Sequence, residues 1–247
     1  MNMNRIGPAS RLCLFGCLAL CAPLALPAAD APSPAVTMSL GTRHGHATPE
    51  RKGFTHTGGG NIDVTQPAPD TVVITMTGVA VAGAQPCGVS LATLKFDLSQ
   101  SLEVAFEKPE IKNAKLTLEG RVIGLLRSPC KCGSAEVGPA HAGILSGANE
   151  IVSLDIASHA VAGGENLSIN DHDGPNAVTI GAGKFTLNQI FAVTAVHPRT
   201  LRLTKPASAE FAPDPALDPL WISYWEPFHG AAKKDFGFQL TVKVAPE

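Results

Sequence analysis

The sequence predicts an all-β protein, an antiparallel β-sandwich with a short aromatic helix inserted in the 205–235 connection. Two observations carry the fold class. Apolar residues recur at every second position over many short runs, which is the period of half-buried strands. Gly (24) and Pro (20) are abundant and fall between those runs, where turns are needed. Short strands punctuated in this way build sheets that bury one face each.

Taken in order, residues 1–29 read as a secretory signal peptide. Arg5 and Arg11 give the positive start, Leu12 to Leu26 the apolar run, and Pro27-Ala28-Ala29 a small-residue cleavage zone. Leu14-Phe15-Gly16-Cys17 resembles a lipid-attachment box, but Arg11 stands too close to Cys17 for an apolar region, so an anchor there is disfavoured. No second apolar run of roughly 20 residues follows, so no transmembrane span is expected in the mature chain. Cleavage would remove two arginines and take the formal net charge from −2 to −4.

Residues 30–60 carry Pro32, Pro34 and Pro49 and end in Gly58-Gly59-Gly60, and are expected to form a flexible leader. The β-sandwich domain is placed at 61–247. Within it, strands are expected at Thr71–Val81, Leu91–Leu98, around Leu102/Val104/Phe106 and around Leu116/Leu118/Val122, where Gly120 marks a bulge or a close approach. Further strands follow at Val152/Leu154/Ile156, Leu167–Ile169, Lys184–Val196, Thr200–Thr204 and Phe236–Val244. Asn170 to Gly174 lacks the oxygen donor and the Glu that an EF-hand loop needs at positions 169 and 180, both Ile here, and so reads as a hairpin turn. In the 205–235 connection, Asp218-Pro219 offers a helix start. Trp221, Tyr224, Trp225 and Phe228 then share one helical face until Pro227 stops the turn.

Only 16% of residues are charged and the signs nearly balance, so the clustered cations that nucleic acid requires are missing and no nucleic-acid partner is expected. Trp221, Tyr224 and Trp225 are every Trp and Tyr in the chain. They form either a plug closing one end of the core or a ligand-binding platform for an envelope glycan or a protein. His44 and His46, with His56 further on, are the metal-ligand candidates; imidazoles suit Zn²⁺ or Cu²⁺, although a flexible leader holds ligands poorly. His141, His159, His172, His197 and His229 stand singly among turn residues and read as surface positions. Cys87, Cys130 and Cys132 are disulfide candidates in an oxidising compartment, one of them left over.

Enzyme signatures are sparse. There is no Gly-x-Ser-x-Gly elbow, no His-Glu-x-x-His, and Gly181-Ala182-Gly183-Lys184 falls short of a phosphate loop. The expectation is an exported, non-enzymatic binding or structural protein of the periplasm, cell surface or extracellular space, with no resident cofactor. Two rivals stand beside it: a Zn- or Cu-binding protein using the three histidines, and an extracellular polysaccharide hydrolase.

Overall fold

The computed structural model describes residues 34–53, 55–82, 89–128, 133–162, 165–197, 207–210 and 237–247. The signal segment, the three later cysteines, Thr200–Thr204 and the aromatic 211–236 stretch lie outside these residues. The described part is all strand and turn. In chain order it comprises β1 (Val36–Lys52), β2 (Thr55–Ala68), β3 (Thr71–Ala82), β4 (Ser90–Phe106), β5 (Ala114–Arg127), β6 (Ser134–Val137), β7 (Ala140–Ser146), β8 (Asn149–Ile156), β9 (His159–Ala162), β10 (Asn166–Ile180), β11 (Gly183–His197), β12 (Ala207–Glu210) and β13 (Gly237–Pro246). No helix among the described residues is long and apolar enough to cross a membrane.

The strands form two antiparallel sheets. The first runs β1-β4-β11 and then β6 and β7 end to end along β11, with β9 outside β6 and β8 outside β7. The second runs β2-β3, then β12 and β13 end to end, then β5 and β10. Alternation explains which faces meet. Val72, Ile74 and Met76 of β3, Leu94, Phe96 and Leu98 of β4, and Phe238, Leu240, Val242 and Val244 of β13 are all buried in one common core. Each is separated from the next by a residue turned the other way, as the two-residue period requires. At the centre Phe191 packs against Phe96 and Phe238, with ring centroids 5.9 and 5.5 Å apart. Gly120, flagged by the sequence as a close approach, is one. A Cβ there would lie 2.9 Å from Leu154 and 3.1 Å from Phe238.

Two expectations give way. The stretch 30–60 is not a leader over its described length, because Val36–Lys52 and Thr55 onward are strands at the edges of both sheets. Its residues are mostly polar because an edge strand shows one face and one rim to water. Asn170 to Gly174 is not a hairpin turn but the middle of β10. There a register shift between Asp173 and Asn176 and a cis Gly174-Pro175 bond interrupt the ladder with β5 without ending the strand.

The long connection has a definite anchorage. Glu210 pairs with Leu125 and Val79, and Gly237 pairs with Ile123, so β12 and β13 are collinear parts of one central strand. In sequence, 26 residues lie between Glu210 and Gly237. Gly237 adopts a φ of 112°, and a Cβ on it would come within 1.9 Å of the Met76 carbonyl oxygen. Only glycine fits at this first residue of β13.

The edges of the two sheets are stitched by different chemistry on the two sides. Between β1 and β2, Met38 N–H donates to the Pro69 carbonyl at 2.7 Å, Gln66 to the Met38 carbonyl, Arg43 to the Ile62 carbonyl, and Arg51 to both the hydroxyl and carbonyl of Thr57. On the opposite side His159 meets Asp171 at 3.0 Å. The Asp155 N–H donates to Asp173 at 3.1 Å and Asn176 donates to the Ser153 carbonyl at 2.9 Å. Guanidinium and amide donors cross the first seam, whereas an imidazole, carboxylates and an amide cross the second.

Candidate functional site

The face of the first sheet turned away from the core is where side chains are free to meet a ligand. Register decides which of them are neighbours. Ser39, Glu103 and Lys184 form one row across β1, β4 and β11, and Ser101 and Thr186 oppose one another in the next. Along β1 the register slips between Leu40 and Arg43. The slip raises Gly41 and Thr42 into a rim, while the β7–β8 hairpin tip at Gly147 (φ 62°) supplies a second wall. The enclosed groove has a volume of about 450 Å³.

The bulge is held from beneath. Gln100, buried among the apolar side chains, donates to the carbonyls of Gly41 at 3.1 Å, Ser101 at 2.9 Å and Thr42 at 3.5 Å. These carbonyls have left the regular ladder, and an amide that satisfies them fixes the rim. Above that floor, the side chains of Ser39, Thr42, Ser101, Glu103, Lys184 and Thr186 are engaged in no hydrogen bond or ion pair with other described residues.

Further along the same face, Ile190 stands 52% exposed beside a shallower, more apolar groove bordered by His46, Asp97 and Pro139. The row through Ile190 reads His46, Asp97, Ile190, His141, Asp155. His141 sits between two carboxylates, with Nδ1 2.8 Å from Asp155 and Nε2 3.2 Å from Glu150. The register shift between Ile144 and Leu145 places Glu150 on this outward face; without it Glu150 would share the inward parity of Val152 and Leu154. Gly143 leaves room for the Glu150 carboxylate, which a Cβ there would meet at 2.1 Å. Burial alone would lower the imidazole pKa, but hydrogen bonds to and charge attraction by Asp155 and Glu150 outweigh it and raise the pKa above 6.5. With an acceptor on each nitrogen, the ring is set up to hold a proton on both rather than to take one from a nucleophile.

The sequence-selected residues fare unevenly. His44 and His46 are exposed on β1, opposite Ser99 and Asp97, and share the outward face of the first sheet. His56 belongs to β2 in the second sheet, paired with Val81. Among the described residues no three His, Cys, Asp or Glu side chains are gathered to hold a metal ion. Trp221, Tyr224 and Trp225, and Cys87, Cys130 and Cys132, lie outside the described residues. His141 and His159, read as lone surface histidines, are strand residues paired with carboxylates. The groove residues were missed because a Ser or Thr on the wet side of a strand carries no signal of its own; only register assembles them. No protein-family model matches the chain, and no curated protein matches it.

Proposed function

We propose that the protein is an exported β-sandwich that binds a ligand or partner at the cell envelope or outside the cell, without turning it over. The observation that supports binding most directly is the groove on the outward face of the first sheet. Its six polar side chains are uncommitted within the described residues while the backbone beneath them is pinned by Gln100. A rigid surface with unspent hydrogen-bonding groups is what a recognition site needs, since little ordering is left to be done on binding. The cluster of His141 with Asp155 and Glu150 points away from catalysis, because both ring nitrogens already face an acceptor. Export is supported by the N-terminal charged, apolar and small-residue pattern of residues 1–29.

The test has two arms. Cell fractionation should recover a shortened chain outside the cytoplasm, and retention of the full-length chain in the cytoplasm overturns export. Incubation with chromogenic esters and glycosides should give no turnover above buffer, and turnover abolished by an acidic-residue substitution overturns the non-enzymatic reading in favour of a hydrolase. The Zn or Cu alternative has one observation behind it, the shared outward face of His44 and His46. Stoichiometric metal in untagged protein, lost in His44→Ala, would establish it.

A further inference from the structure

We propose that the groove over β1, β4 and β11 is a carbohydrate site that takes a neutral mono- or disaccharide; the assignment deepens the binding role proposed above and rests on it. The donor set is the first reason. Ser39, Thr42, Ser101 and Thr186 each offer one donor and two acceptor lone pairs, Glu103 offers acceptors only, and Lys184 donors only. A phosphate or other anion would leave the carboxylate opposed to it. A metal ion would leave the ammonium opposed to it, and an apolar ligand would strand all six groups without water. Sugar hydroxyls donate and accept at once, so a polyhydroxylated ring can use every group in the groove.

Spacing is the second reason. Ser101 and Thr186 are register partners, as are Glu103 and Lys184, so each pair is about 4.8 Å apart across the ladder, and the two pairs lie about 6.8 Å apart along the strands. That grid is on the scale of one hexopyranose with its hydroxyls spread to either side. A groove of about 450 Å³ lies within the usual range of roughly 300–1,000 Å³ for small-ligand sites. The third reason is rigidity. Gln100 fixes the carbonyls of Gly41 and Thr42, so the rim that carries the Thr42 hydroxyl does not have to be ordered by the ligand. Phe185 is buried beneath the floor rather than offered as a stacking ring, so hydrogen bonds carry the affinity and binding in the millimolar range is expected.

The purified protein would be titrated with maltose, cellobiose and N,N′-diacetylchitobiose and followed by amide ¹H–¹⁵N spectra. At least one of these sugars should shift the amides of Ser101, Glu103, Lys184 and Thr186 saturably. Glu103→Ala and Thr186→Ala should each weaken that binding about threefold to tenfold. Lys243→Ala, exposed on β13 of the other sheet, should leave it unchanged. Melting curves confirm that the variants fold, and Glu103→Gln replaces Glu103→Ala if the latter does not. Unmoved groove amides with all three sugars overturn the site. So do saturable shifts confined to another surface, which nevertheless leave the binding role standing. Failure of the wider reading shows separately, as cytoplasmic retention or turnover.

Discussion

Gly237 and Gly147 both have positive φ, 112° and 62°, but only one of them is crowded. Substituting each with alanine therefore separates conformational strain from steric strain. At Gly147 an added Cβ meets nothing within 4 Å. The cost is the left-handed backbone alone, about 1–2 kcal/mol, partly offset by about 0.4–1 kcal/mol from the stiffer unfolded chain. A net loss near 1 kcal/mol follows. At Gly237 the same strain applies, and the Cβ would lie 1.9 Å from the Met76 carbonyl oxygen and 3.2 Å from the Thr77 Cα. Both are backbone atoms of β3 and cannot swing aside, so the central strand must move off its neighbour. Overpacking of this kind adds about 1–3 kcal/mol, for a total of about 2–4 kcal/mol. Urea unfolding reads the difference. With a slope of about 2 kcal/mol per molar, Gly147→Ala should lower the midpoint by about 0.5 M and Gly237→Ala by about 1–2 M, at unchanged slope. Equal shifts for the two variants would refute the placement of Gly237 against β3, and with it the collinearity of β12 and β13.

Two other consequences are open to measurement. Because the His141 pKa is raised on folding, the stability it contributes is fully present below pH 6.5 and fades as pH rises through the folded value. An NMR titration should place the His141 midpoint above 6.5 in the native chain and lower in both Glu150→Gln and Gly143→Ala, the second because its Cβ displaces the Glu150 carboxylate; an unchanged midpoint in both removes Glu150 as a cause. Gln189 is fully buried on β11, and its amide nitrogen and oxygen have no hydrogen-bond partner among the described residues. Gln189→Met, of similar length and without the polar end, should therefore raise stability by about 1–3 kcal/mol in the same urea assay, and a loss of stability would mean that the amide is satisfied in solution.

Much of the fold was legible as alternation. Val72, Ile74 and Met76, or Phe238 to Val244, announce an inward face because burial of one side of a strand leaves a period of two whatever the partner strand is. The edge strands β1 and β2 were not legible. In β1 a register slip breaks the parity, and Gly45 and Ala47 take inward places that a larger apolar residue would mark. Gly45, for example, leaves no room for a Cβ, which would meet Leu98 at 2.8 Å. The interruption of β10 at Gly174-Pro175 looked like a turn because the same residues serve turns and bulges, and only the ladder with β5 on both sides distinguishes the two.

The sequence by itself determined the all-β class, the inward-facing residues of the strands with clean alternation and the near-neutral charge. Each is a local or compositional property, readable without knowing what pairs with what. The tertiary structure decided the rest. It put Ser101 of β4 beside Thr186 of β11, set His141 between Asp155 and Glu150, and placed Glu210 and Gly237 end to end along β5. Register between strands distant in sequence is fixed by the packing of the whole core and by single-residue slips. Each slip turns every following side chain to the opposite face. A groove built from such pairings is visible only once the sheets are assembled.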